Sequence, residues 1–191
     1  MNITNNFLTH SDVEKSMPTS KDKMLPWLRE NYDRMLPDDR YQKTLEVYSM
    51  IENTANFPKK YLIGLKKIRP KDFLNNLPNE LKGKNEIIVY RGTGRSEQIN
   101  AARLSASWTI DRNVAIWFSQ RFFGCGRLFS AKIEVDKIIA FLGGSEQEII
   151  QHCGVTDVKE IILCQDEIDL AIKVHSEVLK NGFLWCDNTG I

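Results

Sequence analysis

Three short stretches of the chain carry residue types that do chemistry. Tyr90-Arg91-Gly92 puts an arginine at the end of an apolar, β-branched run, beside a glycine. A planar guanidinium there suits a phosphate, and a glycine lets a ligand approach the backbone. A strand-end arginine also serves a plain surface salt bridge, and these residues alone leave both readings open. Ser105-Ala106-Ser107-Trp108-Thr109 sets three hydroxyls just ahead of a helical segment that begins near Asp111. Thr109 or Asp111 could equally be no more than its cap. Glu146-Gln147-Glu148 opens a strand-like run, where residues i and i+2 face the same side. Two carboxylates held together cost stability unless a cation lies between them, and such pairs mark sites of proton chemistry. A solvated acidic edge is the plainer alternative.

The elements that must position these residues come in two kinds. Up to residue 84 the pattern is helical and interrupted. Asp22 starts a segment with Tyr32, Met35 and Leu36 on its apolar face, ended by Pro37. Asp39 to Glu52 repeats Tyr41, Leu45, Tyr48 and Ile51 at close to a 3.6 period, and Phe57-Pro58 breaks it. Tyr61 to Ile68 and Pro70 to Leu77 give two further helical pieces. The aromatic residues here (Trp27, Tyr32, Tyr41, Tyr48, Phe57, Tyr61) are most simply core packing. From Glu86 the pattern changes to strands: Glu86 to Tyr90 leading into a turn at Arg91 to Gly94, Ser105 to Thr109, Arg127 to Val135, Ile138 to Leu142, Glu146 to Gln151 and Val158 to Cys164. A helix over Asp111 to Phe123, ended by Gly124, sits among them. A second, Asp166 to Lys180 with Asn181-Gly182 as its cap, closes the chain. Helices first, then short strands around one helix, predict the α+β class. With no Gly/Ser-rich linker, 1–84 reads as a helical layer packed on a core formed by 85–191.

Composition narrows the function. The 191 residues are 42% hydrophobic and 27% charged, enough for one domain with a core plus an appendage, and neither disordered nor collagen-like. A net charge of +1 speaks against a protein held to nucleic acid or anionic lipid by bulk charge. Locally, Arg91 to Arg127 holds six arginines against Glu97 and Asp111, an excess of four positive charges that would help a cleft receive an anion. Cys125, Cys153, Cys164 and Cys186 form no C-x-x-C pair, and His10, His152 and His175 have no zinc-ligand spacing, so no metal is expected. A polar start without an apolar signal region, and no run of about 20 apolar residues, predict a reduced, cytoplasmic protein with no membrane association.

In this order and with these neighbours, Tyr90-Arg91-Gly92, Ser107-Trp108-Thr109 with Ala115 and Phe118 downstream, and Glu146-Gln147-Glu148-Ile149-Ile150 resemble the ADP-ribosyltransferase superfamily. The likeness is to its arginine–serine–glutamate branch of cholera-like, clostridial, vertebrate and phage mono-ADP-ribosyltransferases. It covers roughly residues 85 to 165, under half of the chain, and each motif is short. The histidine and tyrosine of the diphtheria-like branch are not in these positions. The fold implied is a split β-sandwich, and the co-substrate implied is NAD, without a metal.

The resemblance also implies roles. Arg91 would bind the NAD phosphates, and the Gly92 backbone would contact the nicotinamide carboxamide. Ser107 would orient Glu148, with Thr109 as the third residue of the serine motif beside the cofactor. Glu148 would hold the ribose 2′-hydroxyl and stabilise positive charge on the ring as the glycosidic bond breaks. Glu146 would take the acceptor's proton or hold a cationic acceptor. Phe118 or Trp108 would pack on the nicotinamide. The family association of Glu at position 146 with arginine acceptors points to a protein arginine, and a DNA or RNA base is the alternative. The loop Gly143-Gly144-Ser145 is too short for a large target-recognition surface. The expectation is a bacterial or phage enzyme of toxin type acting in the cytoplasm. Its first half would serve as core packing, as a target-recognition layer or as the surface of a neutralising or regulatory partner. A non-catalytic binding module and an NAD glycohydrolase are the other functions such a fold would carry.

Overall fold

Prolines and capping side chains fix where the first helices begin. The computed structural model describes residues 7–51, 57–121 and 126–186, which fall into two compact units, Met1–Phe73 and Leu74–Ile191. In the first, α1 (His10–Ser16) is opened by a capping box: the Thr9 hydroxyl accepts from the Asp12 N–H, and the Asp12 carboxylate accepts from the Thr9 N–H. Such a cap contributes about 1 kcal/mol. The T-x-x-D spacing announces this helix, which hydrophobic periodicity does not predict. α2 (Lys21–Asn31) ends in a 3-10 turn at Tyr32–Arg34, and α3 (Pro37–Met50) starts on Pro37. Pro37 therefore begins a helix, because its fixed φ suits a first turn, where an N–H has no partner anyway. α4 (Lys59–Ile68) follows. Tyr48, Phe57 and Tyr61 are buried and pack edge to face, with ring centroids 5.2 and 5.9 Å apart, so the aromatic residues do serve this unit's core.

The second unit is α+β. β1 (Glu86–Thr93), β2 (Ser107–Thr109), β3 (Arg127–Glu134), β4 (Ala140–Leu142), β5 (Glu148–Ile150) and β6 (Val155–Ile161) form an antiparallel sheet in the order β4-β5-β2-β1-β3-β6. α5 (Ile99–Arg103) precedes β2, α6 (Arg112–Gln120) follows it, and α7 (Gln165–Cys186) comes after β6. Pairing is uneven. β1 and β3 match at eight positions, from Glu86 opposite Glu134 to Thr93 opposite Arg127. β1 and β2 match at one, Tyr90 opposite Thr109. The sheet thus has two wings, β4-β5-β2 and β1-β3-β6, joined in the ladder by a single residue pair next to Arg91.

Several boundaries move from where periodicity put them. β1 continues through Arg91, Gly92 and Thr93, because β3 pairs with all three, so Arg91 lies within a strand and not in a turn. β6 starts at Val155, three residues early, and α7 runs through Asn181-Gly182 without stopping. Pro70 to Leu77 supplies only a 3-10 turn, Phe73–Asn76. Phe122, Phe123 and Gly124, on which the expected end of α6 rested, lie outside the described residues. Gly92 is where the core needs a glycine. A Cβ there would lie 1.8 Å from the Ala115 carbonyl oxygen and 2.6 Å from the Ser119 nitrogen. The missing side chain brings α6 onto β1; the space above Gly92 Cα is filled by this chain and not by a ligand.

Candidate functional site

β1, β2 and β5 are neighbours in the sheet, and each contributes one of the residues singled out by type and spacing. Glu148 stands opposite Thr109, so the diagonal neighbour on the same face is Ser107. The Ser107 hydroxyl donates a hydrogen bond to Glu148 Oε1. From the other wing, Arg91 Nη1 donates to the Ser107 carbonyl oxygen at 3.0 Å. The guanidinium therefore links the two wings beside their one ladder pair, and Arg91, Ser107 and Glu148 form one hydrogen-bonded line across three strands.

Thr109 fixes the approach to Glu148. It is buried, its hydroxyl donates to the Glu146 carbonyl at 2.7 Å, and it accepts from the Asp111 N–H at 3.0 Å. Its single proton is thus used inside the protein. The cap of α6 is Asp111, whose carboxylate accepts from the N–H groups of Asn113 and Val114. The Ile110 N–H adds a bond to the Gln147 carbonyl at 3.2 Å, closing the loop in front of β5 onto the end of β2.

Glu146 differs from the strand expectation. It is exposed and belongs to this loop, and Gln147 sits at φ 47° between it and β5. The two carboxylates are not successive same-side residues of a strand, so that argument for their nearness fails. They interact nonetheless. Burial pushes the Glu148 carboxyl above its usual range; the Ser107 hydrogen bond opposes this, the Glu146 charge adds to it, and the Arg91 charge opposes it. A half-buried carboxylate of raised pKa, gripped by a hydroxyl and near a guanidinium, can stabilise a cationic centre or exchange a proton.

The aromatic residues divide. Trp108 is buried at 1% exposure and donates from Nε1 to the Ser105 carbonyl at 3.2 Å, so it belongs to the core and not to a stacking surface. Phe118 stands half-buried on α6, edge-on to Trp117 at 5.0 Å, outside the hydrogen-bonded line. Folding offsets half of the excess of four positive charges between residues 91 and 127. Arg91 pairs with Glu97, Arg112 with Glu167 and Arg127 with Glu160. Glu167 and Glu160 come from outside the stretch counted in sequence. Sequence reasoning missed Glu97 as a partner of Arg91, since a six-residue separation across a turn has no periodic signature. It also missed His175, buried on α7 against Trp117 with ring centroids 4.5 Å apart. Grooves lined by Asn100, Arg103 and Thr156 lie between α5 and β6, on the wing away from Glu148. Among the described residues no group of three or more His, Cys, Asp or Glu is arranged to hold a metal ion, and no helix is long and apolar enough to cross a membrane. Comparison with family models, with curated proteins and with solved structures finds no match to this chain.

Proposed function

We propose that this chain is a mono-ADP-ribosyltransferase that breaks the nicotinamide–ribose bond of NAD and transfers ADP-ribose to a macromolecular acceptor, a protein arginine before others. The observation that carries the reading is the line from Arg91 through Ser107 to Glu148, contributed by three adjacent strands. Arg91, Ser107 and Glu148 are the residue types that the motif resemblance requires, and they stand in hydrogen-bonded sequence. The single-pair junction between β1 and β2 is what a split sheet needs, and it supports the split β-sandwich reading of the fold.

The chemistry runs as follows. Arg91 holds the phosphates, and the backbone at Gly92 meets the carboxamide. The C1′–N bond breaks, its electron pair leaves with neutral nicotinamide, and positive charge spreads over the ribose ring. Ionised Glu148, aimed by Ser107, grips the 2′-hydroxyl and stabilises that charge. The acceptor nitrogen then bonds to C1′, and its proton passes to the exposed carboxylate of Glu146. In this arrangement Thr109 acts on the Glu146 loop and Phe118 supplies an apolar wall to the nicotinamide. The same site without an acceptor would transfer to water, as an NAD glycohydrolase.

A nucleic-acid base is kept as the second acceptor by one feature: residues 59–71, α4 and its continuation, hold six lysines and arginines and no acid. Labelled NAD incubated with bacterial lysate and this protein separates the two. Label that survives nuclease and is lost to protease supports the arginine reading. Label that survives protease and is lost to nuclease replaces it with the nucleic-acid reading.

A further inference from the structure

The charge partner of Arg91 is as informative as Arg91 itself. Arg91 Nε donates to Glu97 Oε1 at 3.1 Å and Nη2 to Glu97 Oε2 at 3.4 Å, while Nη1 is on the Ser107 carbonyl. Three of the five guanidinium N–H groups are thereby engaged, and two stay available. Both partners are partly buried, with side chains 21% and 23% exposed. Glu97 is itself held. Its N–H donates to the Gly94 carbonyl at 3.2 Å, closing a turn, and its carbonyl accepts from Arg127 Nη1 at 2.6 Å. Arg127 in turn is anchored by Nε on Glu160 Oε1 at 2.7 Å. A continuous polar line therefore crosses the sheet from β6 through β3, the Gly94–Glu97 turn and β1 to β2.

We propose that Glu97 is the positioning residue that aims the Arg91 guanidinium at a dinucleotide phosphate, an inference that rests on the functional reading above. Arginine is a flexible side chain, and a fork-to-fork pair fixes its plane as well as its position. Glu97 takes the side edge of the fork, so the two free N–H groups have a defined direction. It also occupies Arg91 with an anion other than Glu148. Without it, the strongest attraction left to the guanidinium is the Glu148 carboxylate, already bonded to Ser107. Turning onto Glu148 would withdraw both groups from the substrate. An opposing effect exists: a carboxylate beside the phosphate site repels an anion, and its removal would tighten binding if repulsion dominated. The two effects have opposite signs.

Full-length protein with Glu148 intact is titrated calorimetrically with a carbocyclic NAD analogue, whose nicotinamide bond is not cleaved, as the parent and with Glu97→Ala or Glu97→Gln. Steady-state kinetics are run on the same Glu97 variants with Glu148 intact. The expected result is a rise of about tenfold in Kd and KM for Glu97→Ala, the loss of hydrogen bonds to a charged group, with kcat changed less than about threefold. Glu97→Gln, which keeps one acceptor oxygen, should recover to within about threefold of the parent. Equal or tighter binding in Glu97→Ala overturns the inference, as does a fall in kcat with KM unchanged. Should that variant fail to fold, Arg127→Met, which frees the Glu97 carbonyl, carries the test: weaker NAD binding supports the proposal, and unchanged or tighter binding overturns it. If the parent protein itself binds no NAD, the functional reading fails and this inference with it. NAD binding indifferent to Glu97 removes the inference alone.

Discussion

The Ser107 hydroxyl donates its proton to Glu148 Oε1, joining β2 to β5 through side chains as well as backbone. The bond has two consequences that differ in sign. It orients the carboxylate, and it favours the ionised form against the burial that disfavours it. Ser107→Ala should therefore lower kcat/KM for NAD by about 10- to 100-fold, the worth of one hydrogen bond to a charged group. It should also move the acid limb of the pH–rate profile upward. Initial rates from pH 4.5 to 8.5 test both; a lower rate with an unmoved limb would leave Ser107 a purely steric role.

Glu146 acts on Glu148 in the other direction. Its charge adds to burial in raising the Glu148 carboxyl, so Glu146→Gln should bring the acid limb down, toward the ordinary glutamate value of about 4.3. Transfer to arginine should fall more than hydrolysis of NAD, because the acceptor's proton loses its base. Parallel assays of nicotinamide release and acceptor labelling measure the split. Equal loss in both would deny Glu146 an acceptor-side role.

Stability should respond to Glu148 with a definite sign. A carboxyl whose pKa is raised by folding binds its proton more tightly in the native state. Its stabilising contribution is full below the unfolded value and is lost as pH rises through the folded one. Glu148→Gln should thus be more stable than the parent at pH 7, and the difference should close below about pH 4. Urea unfolding at several pH values reads this directly. His175 contributes oppositely. Burial holds its imidazole below the ordinary range, with Glu146 and Asp111 opposing, so its contribution is present above about pH 6.5 and lost as pH falls. Replacing it by Leu should flatten the slope below about pH 6.5.

Gly92→Ala tests what the glycine is for. With α6 backbone atoms at 1.8 and 2.6 Å from the new methyl carbon, the helix must move off β1. The variant should lose at least the roughly 1–3 kcal/mol typical of overpacking. Weaker NAD binding should come together with a lower unfolding midpoint. Weaker binding at full stability would mean that the glycine faces the ligand after all.

Much of the fold was legible where one physical signal dominated. β3 alternates buried and exposed residues from Ala131 to Glu134, and α6 is opened by Asp111 and repeats apolar residues at helical steps; both are legible to within a few positions. Arg91, Ser107 and Glu148 were legible by type and order. What escaped depends on tertiary pairing. β1 extends to Thr93 because β3 is there to pair with it, and nothing local in Arg91-Gly92-Thr93 announces a strand. Glu146 was misplaced since a turn residue at φ 47°, Gln147, looks like any strand residue in sequence. Glu97 was invisible because its partner lies across a turn, and the charge count overstated the field because Glu160 and Glu167 return from far along the chain to neutralise it.

The most direct test of the account is nicotinamide release from NAD by the purified protein, compared with Glu148→Gln at equal concentration and verified fold. The account predicts release by the parent and a loss of about 10²- to 10³-fold or more in the variant, the scale for removing charge stabilisation at a developing centre. No release by the parent in the presence of lysate acceptors, or equal release by both, would contradict it.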